Sequence, residues 1–374
     1  MTEIHPITMP KFGLSMTEGK IASWAVAEGA WVNVGDELAD VETTKITNAY
    51  ESPVTGILRR HIAKEQEDLA VGALIGIVAD ESIPDSEIDA FIKRFQAEFA
   101  TAVPADKAEK APEPQKITAG GRTIRYLHLG DHDGRAVVFI HGFGGDLNNW
   151  MFTQPALAAE HKTYSLDLPG HGESGKDVGT GDLETLAQAV VDFLDALDIP
   201  KAHLVGHSLG GAVAFQTALH HPARVASLAL LCPAALGAEI DTGFIDGFIN
   251  ADRRKQLQPI LEKLFVDPSL VSRDMLDDLL KAKRIDGATA ALTAIARANF
   301  ADGRQTRVLA DRLNGIGVPV QVIWGAEDRI IPTRQAEGLP REVRVHVLPK
   351  AGHMPHMESA AEVNRLLAAH LAQV

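Results

Sequence analysis

The chain opens on short runs of Val, Ile and Thr punctuated by glycine at 13, 19, 29, 35, 56, 72 and 76, a rhythm of brief strands and tight turns that predicts a small all-β domain over residues 1–80. The period then changes. Ile88, Phe91, Ile92, Phe95 and Phe99 recur at helical spacing between Pro84 and Ala100, predicting one amphipathic helix whose apolar face must pack on something. Thr101 to Lys116 (TAVPADKAEKAPEPQK) has neither aromatic nor periodic apolar content, so it cannot bury a core and is expected to be an extended, mobile linker within residues 81–118.

From Arg122 onward strand-like runs alternate with helical patterns, as a parallel sheet with crossover helices requires. The expected strands are Thr123–Leu129, Ala136–His141, Thr163–Asp167, Ala202–His207, Val225–Leu231, Pro319–Trp324 and Val343–Leu348. Between the fifth and sixth lies a helical excursion from about Ala234 to Phe300 without a convincing strand, read as a cap spanning about 234–305. The prediction is therefore a multidomain chain: an all-β unit, a flexible linker, and an α/β unit over 119–374 with a helical cap.

Composition narrows the possible partners. At 374 residues the chain is long enough for two domains, and a net charge of −14 opposes binding to nucleic acid or to an anionic membrane surface. No apolar run is long enough to cross a bilayer, and the acidic start carries no basic segment leading into an apolar one, so no secretory leader is expected. Cys232, the single cysteine, allows no internal disulfide and fits a reducing, cytoplasmic compartment.

Chemistry concentrates at two places. In the first, Asp40-Val41-Glu42-Thr43-Thr44-Lys45-Ile46 sets a lysine between two β runs, where a modifying ligase reaches it without unfolding anything. Met9-Pro10, Glu18-Gly19, Gly35-Asp36, the Glu-Thr-x-Lys stretch and Ser52-Pro53-Val54-x-Gly56 together resemble the lipoyl domains of 2-oxo acid dehydrogenase complexes. That resemblance implies a flattened β-barrel of two similar halves, with lipoate attached to Lys45 by a lipoate ligase. Biotinyl domains share the fold but carry Met-Lys-Met where this chain has Thr44-Lys45-Ile46, which favours lipoyl.

In the second, Gly206-His207-Ser208-Leu209-Gly210 matches G-x-S-x-G between an expected strand and an expected helix, the context that presents a nucleophilic serine at a helix N-terminus. His141-Gly142-Phe143-Gly144-Gly145 follows another strand, and the backbone N–H groups of Phe143 and Leu209 are the expected oxyanion hole. Asp328, past the strand ending at Trp324, is the candidate acid, with Glu327 pointing elsewhere. His353 in Ala351-Gly352-His353 is the candidate base, with His356 as its competitor. A metal held by His353 and His356 is not expected, because no further ligands stand at metal spacing in the sequence. The order Ser, Asp, His and the segment Asp167-Leu168-Pro169-Gly170-His171-Gly172 resemble α/β-hydrolases over about residues 119–374.

The fusion of the two units resembles the E2 acetyltransferase components of acetoin dehydrogenase complexes. What the resemblance implies is an acyl carrier that receives acetyl from a thiamine-diphosphate-dependent E1, passes it to coenzyme A, and is reoxidised by a flavin-dependent dihydrolipoamide dehydrogenase, E3. It leaves room for a homo-oligomer. Two features depart from ordinary E2 chains: their H-x-x-x-D-G core motif has only the over-long echo His128 to Gly134, and no peripheral-subunit-binding domain is recognisable between Ser82 and Gly120. The competing functions are a serine hydrolase of esters or carbon–carbon bonds with an appended carrier, and a scaffold with a vestigial triad. Arg253-Arg254-Lys255 could meet the phosphates of coenzyme A, although a solvated basic helix face is the blander account.

Overall fold

The computed structural model describes residues 4–10, 18–42, 47–102 and 112–373. It divides into two compact units, Met1–Glu113 and Pro114–Val374. Among the described residues no helix is long and apolar enough to cross a membrane.

In the first unit the glycine-punctuated runs form eight short strands: β1 (Ile4–Thr8), β2 (Glu18–Trp24), β3 (Trp31–Val32), β4 (Glu37–Glu42), β5 (Thr47–Glu51), β6 (Gly56–His61), β7 (Asp68–Ala70) and β8 (Leu74–Ala79). They make two antiparallel four-stranded sheets, β1-β8-β6-β3 and β5-β4-β2-β7. One face of each sheet is apolar, and Ile7, Ile21, Leu38, Val41, Leu58, Ile75 and Val78 interlock between them as a core. β4 and β5 pair with Glu42 opposite Thr47, so the chain joining them includes Lys45, which lies outside the described residues.

Helix α1 (Asp85–Ala102) runs two residues past the expected end. Its Ile88 is buried, and Phe91, Ile92 and Phe95 pack against Leu74, Ile77, Ala79 and Ile83. The phenylalanine stripe is thus accounted for within its own unit. Linker residues 103–111 lie outside the described residues.

The second unit carries one eight-stranded sheet in the order β18-β17-β14-β13-β11-β12-β10-β9. Its elements, in chain order, are β9 (Gln115–Ala119), β10 (Arg122–Leu129), β11 (Ala136–Ile140), α2 (Gln154–Ala158), β12 (Thr163–Leu166), α3 (Leu183–Ala196), β13 (Ala202–His207), α4 (Leu209–His220) and β14 (Val225–Leu231). Then come α5 (Thr242–Asn250), α6 (Arg254–Leu261), α7 (Arg273–Lys283), α8 (Ala288–Asn299), the two-residue strands β15 (Phe300–Ala301) and β16 (Arg304–Gln305), β17 (Val320–Gly325), β18 (Arg344–Leu348), α9 (Pro355–Glu358) and α10 (Ala360–Leu371).

Two expectations need correction. Gln115 and Lys116, assigned to the extended linker, belong to β9, because the chain doubles back at Gly120-Gly121 and pairs β9 with β10. The sheet is also not wholly parallel: β10 runs antiparallel to both neighbours, while β12, β11, β13, β14, β17 and β18 are mutually parallel. The cap comprises α5 to α8 with the β15–β16 hairpin at its end. Strands β11, β13 and β14 are buried along their whole length, as a sheet covered on both faces demands.

Candidate active site

The parallel strands all point their C-terminal ends to one edge, where loops of an open α/β sheet gather chemistry. Ser208 stands there, between β13 and α4, at φ 52° and ψ −118°. A non-glycine residue in that region is strained, and such strain persists only where the surroundings enforce it. They do so here: a Cβ on Gly210 would come within 2.2 Å of the Ile140 carbonyl oxygen and one on Gly206 within 2.3 Å of the Gly210 oxygen, so only glycine lets strand, turn and helix meet this closely. The Ser208 side chain caps no N–H of α4.

Asp328 and His353 are brought together by the loops after β17 and β18. His353 Nδ1 donates to Asp328 Oδ2 at 2.8 Å, with both side chains almost wholly buried. Asp328 is a saturated acceptor: Oδ2 also receives Trp324 Nε1–H at 3.0 Å, and Oδ1 receives the N–H groups of Ile330 and Ile331 at 2.8 and 2.9 Å. Burial pushes its carboxyl up, but the His353 ring and these hydrogen bonds outweigh burial and hold it below the usual carboxylate value. Glu327 is exposed.

His356 is fully buried, has no hydrogen-bond partner on either ring nitrogen among the described residues, and is pushed down to about 3 by burial and by His353. It packs between Trp150 and His207, with ring centroids 4.7 Å from each. The Asp–His pair is therefore Asp328 with His353. Among the described residues no hydrogen bond joins Ser208 Oγ to His353; the serine is linked to the base loop through its neighbour His207, whose Nε2 donates to the His353 carbonyl at 2.7 Å.

The glycine-rich loop after β11 lies against this elbow: a Cβ on Gly142 would sit 2.8 Å from His207 Nδ1 and 3.1 Å from Ser208 Cβ. Among the described residues neither Phe143 N–H nor Leu209 N–H has a backbone acceptor, the condition for both to serve a ligand oxygen. His141 is structural: its ring donates from Nδ1 to the Gly142 carbonyl at 2.7 Å and accepts Leu168 N–H on Nε2 at 3.0 Å, and burial keeps it neutral. The cap closes over the loop, since the Phe143 ring meets Phe248 of α5 and Phe300 of β15 edge-on, each at 6.0 Å.

Cys232 Sγ lies within 4.8 Å of ligand-type atoms of Asp328 and His353. Its thiol is buried, and burial together with Asp328 pushes it well up, so it stays protonated. In the basic cluster at the start of α6, Arg253 pairs with Asp252 and Arg254 with Asp277. His128 stacks on Tyr164 at 4.6 Å and bonds the Gly130 carbonyl, a structural post at the end of β10. Sequence reasoning did not assign roles to three residues that build the site: His207, Trp324 and Glu358, the last of which accepts the N–H groups of Gly352 and Val266. The position of Glu358, on the short helix that follows His353, was the available signal.

Residues 135–360 match the family described as alpha/beta hydrolase fold, and residues 5–78 the family described as biotin-requiring enzyme. Among solved structures, the meta-cleavage product hydrolase from Pseudomonas fluorescens IP01 superposes with a TM-score of 0.63 at 23% identity, covering 69% of this chain and 97% of that one. The 2-hydroxy-6-oxo-6-phenylhexa-2,4-dienoate hydrolase of Rhodococcus sp. strain RHA1 gives 0.63 at 20%, covering 70% and 99%. Both likenesses speak to the fold of the second unit alone. Whole-chain relatives go further: the dihydrolipoyllysine-residue acetyltransferase component of the acetoin cleaving system of Pseudomonas putida is 50% identical over 99% of both chains. Its counterpart from Cupriavidus necator is 44% identical over 98% of this chain and 97% of its own. With two relatives matching both units end to end, the chain belongs to the family of dihydrolipoyllysine-residue acetyltransferase components of acetoin-cleaving systems.

Proposed function

We propose that the chain carries acetyl on a lipoyl arm at Lys45 and transfers it to coenzyme A, with Ser208, Asp328 and His353 as the triad and the N–H groups of Phe143 and Leu209 as the oxyanion hole. The observation that carries this reading is the coexistence, on one chain matched end to end by acetyltransferase components, of a lipoyl-type unit and a formed Asp328–His353 pair beside a strained Ser208. The first unit fits an arm: β4 and β5 are adjacent antiparallel strands, and the stretch joining them includes Lys45. When attached, the arm supplies acetyl as a thioester on a long tether, and the linker keeps that donor at high effective concentration near the site. The acetoin-cleaving context supports E1 and E3 components as partners and a lipoate ligase for attachment.

The residues have distinct work. Asp328 holds the Nδ1–H of His353, which leaves Nε2 to take a proton from the incoming thiol and return it to the departing one. Phe143 N–H and Leu209 N–H receive the negative charge that develops on the acyl oxygen, and the N-terminus of α4 adds its dipole. Ser208 either gives its proton through His353 to the departing lipoyl sulfur and holds the acetyl as an ester until the acceptor thiol takes it, or adds a third donor to that oxygen. Moving acetyl from a serine ester back to a thiol is uphill, so the first route requires water to be kept out, which suits a cap seated on Phe143.

Acetyl-dihydrolipoamide with coenzyme A tests the proposal. Acetyl-CoA is expected as the main product, and acetate as the dominant product at saturating coenzyme A would make the chain a hydrolase. Ser208→Ala separates the routes: an obligatory nucleophile loses nearly all transfer, whereas one oxyanion donor costs about a hundred- to a thousand-fold.

A further inference from the structure

The loop that carries His353 is fastened to the cap, and the fastening runs through one carboxylate. Glu358, the last residue of α9, accepts Gly352 N–H on Oε2 at 2.8 Å and Val266 N–H on Oε1 at 2.7 Å. Gly352 immediately precedes His353, while Val266 follows Leu264 and Phe265 in the stretch between α6 and α7. A second tie runs in parallel, His353 N–H to the Leu264 carbonyl at 2.9 Å. The two backbones are packed closely: a Cβ on Gly352 would lie 2.9 Å from the Leu264 oxygen and 3.4 Å from the Phe265 carbonyl carbon. Phe265 is buried in the same core cluster as Leu257 and Leu261 of α6, so shifting residues 264–266 pulls on the cap. From the other side His207 anchors the His353 carbonyl to the end of β13. The base loop is therefore held between the sheet and the cap, and Glu358 is the side chain that spans the cap side.

The carboxylate thus bridges two segments remote from each other in sequence, one in the cap and one that carries the base. We propose that Glu358 is a positioning residue that makes the cap segment Leu264–Val266 and the base loop one mechanical unit, so that His353 reaches its working position only when the cap is seated. Water would then meet the activated base only under a closed cap, which favours a bound thiol as acceptor. The kinetic part rests on the acetyl-transfer reading; the mechanical part stands without it.

The test uses the full chain and two variants. Glu358→Gln puts an amide NH₂ where one of two N–H donors needs an acceptor. Val266→Pro removes only the cap-side donor, and the extended backbone of Phe265 (φ −117°, ψ 150°) accommodates a following proline. Hydrogen exchange is followed in peptides covering 262–266 and 350–354, beside thermal melting and acetyl transfer. Glu358→Gln is expected to speed exchange in both segments together and to lower kcat about ten- to a hundredfold, with a much smaller change in KM for coenzyme A and a larger share of acetate. Val266→Pro is expected to speed exchange at 350–354, although among the described residues Val266 N–H bonds Glu358 and not that loop. Coupled exchange in a protein that makes no acetyl-CoA would uphold the coupling and overturn the transferase reading. The coupling itself is overturned if Val266→Pro leaves 350–354 at wild-type protection, or if folded Glu358→Gln loosens one segment alone with kcat unchanged.

Discussion

Asparagine in place of Asp328 is the sharpest probe of the site, because the structure offers the new amide no good orientation. Each Asp328 oxygen faces only donors: Trp324 Nε1–H and His353 Nδ1–H at one, Ile330 N–H and Ile331 N–H at the other. Whichever way the amide is turned, its NH₂ meets two N–H groups, so at least one buried donor loses its partner at about 1 to 3 kcal/mol. If the NH₂ faces His353, the ring is driven to the wrong tautomer, with the proton on the nitrogen that should be the base. In either orientation the negative charge that steadies the imidazolium is gone. Loss of an analogous carboxylate costs about 10⁴-fold in turnover in a serine protease triad, and a drop of about 10³- to 10⁴-fold in kcat for acetyl transfer is expected here, with a melting temperature lower by roughly 2–4 °C per kcal/mol lost. The pH sign follows from the depressed carboxyl: its stabilisation is fully present above the unfolded value of 3.8 and is lost as pH falls through the lower folded value. The gap in melting temperature between the wild type and Asp328→Asn should therefore narrow below pH 3.8. A folded Asp328→Asn protein that keeps kcat within about tenfold of wild type, far short of the loss seen when a triad carboxylate is removed, would refute the role given to Asp328.

Two other expectations are simpler. Lys45→Ala should remove the lipoyl mass increment from protein purified from its native host and stop turnover of the assembled system, while acetyl transfer from free acetyl-dihydrolipoamide continues; lipoate found on another lysine by peptide mapping would move the attachment site. Gly142→Ala places a methyl 2.8 Å from His207 Nδ1 and 3.1 Å from Ser208 Cβ, so overpacking should cost about 1–3 kcal/mol and covalent labelling of Ser208 by a fluorophosphonate should slow markedly. Unchanged labelling would mean that the loop does not bear on the elbow.

Much of this was legible because local chemistry and long-range geometry agree. The elbow can be read from Gly206 and Gly210, since no other residue permits the approach of the Gly210 backbone to Ile140. The parallel strands can be read from their uniform apolar runs, which mark burial on both faces. The first hairpin of the second unit was missed although its signal is plain: Gly120-Gly121 is a two-residue turn with both φ positive, 53° and 78°. Its first strand hid in a polar stretch because β9 is an edge strand, and only Ala119 of its five residues is buried. The function of His207 left no signal along the chain and that of Glu358 only its place just after His353, because each is defined by a partner remote in sequence, 146 residues away for His207 and 92 for Glu358. Pattern along the chain reports which face a residue shows, and these two matter for what they hold.

The lone cysteine has a consequence for a protein whose proposed cargo is handled by thiols, a disulfide and thioesters. Such reagents exchange readily with any thiolate they meet, and a surface cysteine would collect acyl groups or form mixed disulfides with the arm. Cys232 is the only sulfhydryl in the chain, is wholly buried, and is kept protonated. The chain is in this sense chemically inert toward its own traffic: sulfur chemistry enters on the arm and leaves on the acceptor, and the polypeptide between them offers it no place to stop.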